Sequence, residues 1–101
     1  MIIYNVTCHV DDSIIEDWKT WMVNVHLPEV METGKFLSYE MFSVHKHEPS
    51  DPGQSFAIMY RAESMENYNE YVQSHAPALK DKTRKRYGDK VVAFRTLLEL
   101  L

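Results

Sequence analysis

The sequence His26-Leu27-Pro28 interrupts one segment of helical apolar pattern, and His75-Ala76-Pro77 interrupts a second such segment later in the chain. Strand-like alternation of apolar and polar residues flanks both segments. This repetition predicts a chain built from two βαβ units. Proline removes a helical hydrogen bond and clashes with the carbonyl four residues earlier, so we expect both helices to kink or loosen at these steps.

Working outward from the two steps, hydrophobic periodicity predicts six elements in the order βαββαβ. Ser13 and Glu16 have the spacing of a capping box, and Gly34 supplies a stop for the first helix. This order is the split-βαβ or ferredoxin-like pattern, an α+β fold with two helices on one face of a four-stranded antiparallel sheet. The predicted elements are strand 2–10, helix 14–33, strands 36–44 and 56–61 around a polar loop 45–55, a helix capped by Ser64 and ended by Gly88, and strand 90–101.

Length and composition predict one domain over residues 1–101, because 101 residues with 45% hydrophobic content suit a single core. Cys8 alternates with apolar residues, which predicts a buried free thiol in a reducing compartment and hence a cytoplasmic protein. The first residues have the pattern of a strand and not of a signal peptide, and no apolar run has the length of a membrane span. The net charge of −4 argues against a nucleic-acid partner.

One face of the predicted sheet carries no helix. An uncovered face with this much apolar surface is unfavourable in water, so we expect a second copy to cover it and to form a homodimer of the dimeric α+β barrel type. The apolar side chains that we assign to this face are Ile3, Leu37, Met41, Met59, Val91 and Leu97.

The two histidines are the most informative candidates for a functional site. Each has apolar neighbours one helical turn away on both sides, which directs both rings towards the core. A histidine in that position titrates near neutrality and can exchange protons with a ligand, and His26 is the candidate catalytic base. The alternative is structural, with each imidazole donating to a carbonyl that the kink has loosened. The predicted ligand-binding residues in the cleft between helices and sheet are Trp18, Met22, His26, Tyr60, Tyr71 and His75.

Other charged residues leave their roles open. We assign Arg61 and Arg95 to the uncovered sheet face, where they serve either a subunit interface or a site for a substrate carboxylate. The cationic run Lys80–Arg86 fits a solvated helix end, where positive charge interacts favourably with unpaired carbonyls. His45 and His47 have no third metal ligand at a suitable spacing, so we expect no metal site, and we expect no cofactor.

Three segments together resemble a known family. The sequence is similar to a family of short bacterial proteins of unknown function in the dimeric α+β barrel superfamily, and this resemblance implies the fold and dimerisation but no activity. More distant relatives by architecture include cofactor-independent monooxygenases and muconolactone-isomerase-like enzymes, which define possible functions without ranking them. The segments are Met1-Ile2-Ile3-Tyr4-Asn5-Val6-Thr7, Trp18-x-x-Trp21-Met22 followed by His26-x-Pro28-x-Val30-x-x-Thr33-Gly34, and Val92-Ala93-Phe94-Arg95-Thr96-Leu97-Leu98.

Three functional hypotheses follow from the sequence. The leading one is a homodimer that binds a small apolar or aromatic molecule between the helices and the sheet. The second is a cofactor-independent monooxygenase- or isomerase-like enzyme, in which His26 is the general base and an arginine stabilises the resulting anion. The third is an interaction dimer without a ligand, in which both histidines have structural roles.

Overall fold

Four antiparallel strands form a single sheet in the computed structural model, which describes residues 1–101. The spatial order is β2-β3-β1-β4, so the first and third strands are central and the other two are edges. This arrangement confirms the predicted ferredoxin-like α+β fold. The strands are β1 (Ile2–Val10), β2 (Ser38–Ser43), β3 (Gln54–Ala62) and β4 (Val91–Glu99).

Two helical regions lie on one face of the sheet, and each is interrupted at its His-x-Pro step. None of these helices combines the length and the apolar character needed to cross a membrane. The first region contains a 3₁₀ turn (Asp12–Ile14), α1 (Ile15–Trp21), a π-helical turn (Met22–His26) and α2 (Leu27–Glu32). The second contains α3 (Met65–Ser74), α4 (Ala76–Tyr87) and a 3₁₀ turn (Gly88–Lys90).

The two prolines disturb their helices in different ways. Before Pro28 the helix widens into the π turn, and the Leu27 N–H donates to the carbonyl of Met22, five residues earlier. This widening lets the chain continue as a helix around a residue that has no N–H to donate. Before Pro77 the helix stops at His75, which has φ −121° and ψ −41°, and a new helix starts. The predicted loosening at both steps is therefore confirmed.

Most of the predicted helix boundaries match the structure, with one correction at the first N-terminus. The Ser64 side chain accepts a hydrogen bond from the Asn67 N–H at 3.2 Å, and Gly34 follows α2 with φ 74°. The capping box is wrong, because Asp11 is the cap and its Oδ1 accepts from the Ser13 N–H at 2.9 Å. A carboxylate one residue before the turn reaches that N–H directly.

Strand register corrects our assignment of side chains to the two sheet faces. Arg95 lies opposite Val6 of β1, so it points towards the helices, whereas Arg61 lies opposite Ile3 and points away from them. Val91, Leu97 and Met41 also lie on the helix side by the same pairing. A shift of one residue exchanges the faces of a whole strand, and the sequence does not show which residues pair. The apolar side chains on the uncovered face, which we call the open face, are Ile3, Phe42, Met59, Val92, Phe94 and Leu98.

The core lies between the sheet and the helices. Trp18 and Val30 from the first helical region are fully buried there, together with Val10 from β1. Tyr4, at the centre of the sheet, stacks on Tyr60 of the neighbouring strand with 5.9 Å between ring centroids. The free thiol of Cys8 is buried in the same layer, in line with the sequence-based expectation.

Candidate functional site

A cavity of about 390 Å³ lies between the sheet and the helices, beside the edge strand β4. Its floor comes from alternate residues of β1 and β3 and from the start of β4, and α1, the π turn, α3 and α4 supply the opposite wall. Well-packed protein interiors leave few voids larger than a water molecule, so this space is larger than a packing defect. The apolar lining includes Val6, Cys8, Met22, Ile58, Leu79 and Ala93.

The structure brings five of the six sequence-predicted site residues to this cavity and separates the sixth from it. His75 lies instead in a second groove, where it adjoins Glu29 and Glu32 of α2 and Lys82 of α4. Its ring stacks on Tyr71 at a centroid distance of 6.3 Å. Because α3 ends at His75 with non-helical backbone angles, this side chain does not continue the buried face of the helix. The five residues at the cavity are Trp18, Met22, His26, Tyr60 and Tyr71.

His26 is the last residue of the π turn, and its ring stacks on the indole of Trp21 with 5.0 Å between centroids. Burial lowers the pKa of His26 to about 4, Glu29 acts in the opposite direction, and the cations Arg95 and Lys82 lower it further. The imidazole is therefore neutral at neutral pH. A neutral imidazole offers one hydrogen-bond donor and one acceptor to a ligand.

Three tyrosines form an aromatic wall of the cavity, with the Tyr71 ring tilted by 57° to that of Tyr4. Tyr4, Tyr60 and Tyr71 are buried, and burial raises the pKa of each phenol. They remain protonated, so each can donate or accept a hydrogen bond without carrying charge. The Arg95 Nε–H donates to the Tyr4 hydroxyl oxygen at 3.0 Å, which ties the edge strand β4 to the central strand β1 at the cavity wall.

Three cations also line the cavity, and sequence reasoning missed their position. Lys80 and Arg84 of α4 join Arg95 there, and none of the lining residues is Asp or Glu. Lys80 and Arg84 are solvent-exposed, as expected for a solvated helix end, and they also border the cavity. The signal was present in the spacing, because Lys80 and Arg84 lie four residues apart on one helix face, and that face borders the one that carries buried Leu79.

The remaining reactive groups give no sign of covalent or metal chemistry. Burial raises the pKa of the Cys8 thiol to about 11, so the thiol stays protonated and is a poor nucleophile. No group of three or more His, Cys, Asp or Glu side chains is placed to hold a metal ion. The lining offers aromatic faces, neutral hydrogen-bonding groups and positive charge.

A four-stranded antiparallel sheet with helices on one face and a cavity between the two layers defines a ferredoxin-like α+β protein. The chain belongs to the DUF4286 family, a domain of unknown function, whose model matches residues 1–101. No curated protein sequence matches the chain.

Solved structures share the whole fold at low sequence identity. HapK from Hahella chejuensis superposes with a TM-score of 0.71 at 8% identity, covering 100% of this chain and 93% of that one. SnoaB from Streptomyces nogalater, a cofactor-independent oxygenase, has a TM-score of 0.60 at 7% identity over 98% and 92% of the two chains. A dimeric ferredoxin-like protein from an uncultured marine organism has a TM-score of 0.58 at 10% identity over 99% and 94%. These similarities establish the fold alone.

Proposed function

We propose that this protein binds a small, largely aromatic molecule in the cavity between the helices and the sheet. The observation that carries the proposal is the mostly apolar lining of the cavity, which the His75 groove of similar volume lacks, together with a volume of about 390 Å³ within the usual range of small-molecule sites. Its walls are aromatic and aliphatic side chains on regular elements, with a few polar groups converging on the space, which is the usual composition of such sites. Trp18, Met22, His26, Tyr60 and Tyr71 would contact the molecule, and His75 lies outside the proposed site.

A panel of aromatic compounds tests the proposal by thermal shift. A ligand at about 100 times its Kd adds about 2.7 kcal/mol to the free energy of unfolding. In a domain of this size such a gain raises Tm by about 10 °C or more. Thr83 lines the cavity and Lys85 does not, so T83W fills the space while K85W is a matched control on the same helix.

We expect hits that raise Tm in the native protein and in K85W but not in T83W. A panel without hits on the native protein would refute the proposal. Equal shifts in T83W and in the native protein would refute it as well. Native mass spectrometry of the purified protein offers an independent readout, because a molecule retained from the cell adds its own mass.

We also propose that a second copy covers the open face and makes a homodimer. Phe94 is 65% exposed in the single chain, Val92 47% and Leu98 41%, and all three lie on this face. Apolar side chains clustered on one sheet surface are typical of a protein interface. Sedimentation at increasing concentration tests the proposal, since a species of constant monomer mass would exclude it.

One observation favours a catalytic alternative at the same site. The neutral imidazole of His26 and the guanidinium of Arg95 line one cavity, so His26 could take a proton from an acidic C–H while Arg95 stabilises the carbanion or enolate that remains. A pKa of about 4 makes His26 a weak base, and for that reason binding is the better supported function. Deuterium exchange into a bound hit tests this alternative: H26Q should retain binding and lose the exchange, and equal exchange in both proteins would refute it.

A further inference from the structure

We infer that the ligand of this cavity is a planar organic monoanion, with an aromatic or conjugated body and a carboxylate or enolate group held beside Arg95 and Lys80. This inference rests on the proposed function, because it names the chemical class of the molecule that the cavity takes.

The first support is the charge of the lining. Lys80, Arg84 and Arg95 line the cavity without a single acidic residue, although the chain contains 15 Asp and Glu against 11 Lys and Arg. The cavity lining is therefore positively charged, although the chain as a whole carries a net negative charge. All three side chains are solvent-exposed, and positive charge bordering a concave, partly apolar surface raises the local concentration of anions.

The second support is that two of these cations form no ion pair within the chain. Arg84 pairs with Asp81 of the same helix, and Lys82 pairs with Glu29 of α2. Neither Lys80 nor Arg95 has a carboxylate within 4.0 Å. Their charges are left for water or for an external anion.

The two cations also affect one another and their surroundings. Burial lowers the pKa of Lys80, and the nearby Arg95 lowers it further. Arg95 likewise contributes to the lowered pKa of His26 on the opposite wall. Positive potential therefore extends across the cavity, and an anion bound between the two walls would relieve this repulsion.

Arg95 is held in a position that suits a planar acid. Its Nε–H is engaged by the Tyr4 hydroxyl at 3.0 Å, which holds the guanidinium at the aromatic wall. The terminal nitrogens of a guanidinium can donate two parallel hydrogen bonds to a carboxylate. The flat body of the ligand would then lie against the tyrosine wall, towards Met22 and Trp18, where the lining carries no charge.

Two fluorescent probes that differ in a single group provide the test. Anilinonaphthalene sulfonate is an aromatic anion, and phenylnaphthylamine is the same skeleton without the sulfonate. We expect the native protein to bind the anion about tenfold or more tightly than the neutral probe, as one charge-assisted contact predicts. R95Q and K80Q should each bind the anionic probe about tenfold more weakly than the native protein, and their affinity for the neutral probe should change little. R95K, which keeps the charge, should recover part of the loss.

The control is K85Q, which removes one positive charge from the same helix outside the cavity. Equal affinity of both probes for the native protein would overturn the inference and leave the proposed function standing. If K85Q weakens binding of the anionic probe as much as R95Q does, the inference is also overturned, because the probe then reports only surface charge. If neither probe binds and no compound of the thermal-shift panel binds, the proposed function fails together with the inference.

Discussion

Replacing Phe94 by alanine should weaken the proposed homodimer without unfolding the chain. The ring is 65% exposed in the single chain, so the monomer has little stability to lose at this position. A fully buried Phe side chain is worth about 1.5–3 kcal/mol, and burying the exposed two thirds in an interface is worth about 1–2 kcal/mol. Two-fold symmetry doubles this to about 2–4 kcal/mol per dimer, which weakens the dimer Kd by about 25- to 700-fold.

Sedimentation equilibrium over a concentration series measures this change. Val72 is the matched control, since it is a 38% exposed apolar side chain on α3 and lies away from the open face. F94A should shift the midpoint of dimerisation to higher concentration, while V72A should match the native protein. A Kd for F94A within about threefold of the native value corresponds to less than 1 kcal/mol and would refute the assignment of the open face as the interface.

Three further predictions concern single residues. Because His26 has a folded-state pKa of about 4 against an ordinary 6.5, the unfolded chain binds the additional proton between these values. The free energy of unfolding should therefore fall by up to about 3 kcal/mol as pH drops from 6.5 to 4. If urea titrations show that the free energy of unfolding depends on pH equally in H26Q and in the native protein, this prediction is contradicted. G34A should lower the free energy of unfolding by about 1 kcal/mol, because the backbone at this position is left-handed. G53A should lower the free energy of unfolding clearly more in the same urea assay, because its Cβ would lie 2.9 Å from the backbone oxygen of Val10, which cannot move aside as the exposed His9 ring can, and equal losses would refute the clash. The Cys8 thiol should react with a thiol reagent roughly a hundredfold more slowly in the folded protein than in urea at the same pH, because burial raises its pKa from 9.0 to about 11, and equal rates would contradict this.

The order of the elements was predictable because each depends on local pattern. Alternation identified β1, the Ser64 cap and Gly88 bounded the second helical region, and the two prolines located the breaks. The pairing of strands depends on contacts between residues far apart in the chain, and local patterns do not contain it. For that reason the helix-facing position of Arg95 emerged only from its pairing with Val6.

The candidate site was predictable only in part. Met22 and His26 were placed on one helix face by their spacing, and Tyr60 followed from strand alternation. His75 was misplaced, because a helix that ends at a residue directs its side chain differently from one that only bends there. Lys80 and Arg84 were missed, since the dipole and solvation at a helix end explain such cations equally well from sequence.

The π turn before Pro28 has a consequence for the evolution of chain length in this family. Between Met22 and His26 the chain has one residue more than a regular α-helix needs to cover the same distance. Removing one of the outward-facing residues 23–25 would let α1 and α2 stay in phase, whereas a deletion elsewhere in this region would turn one half by about 100° about the axis. Homologues that are one residue shorter here and lack Pro28 should therefore retain the fold, with a straighter rod above the sheet and a displaced imidazole.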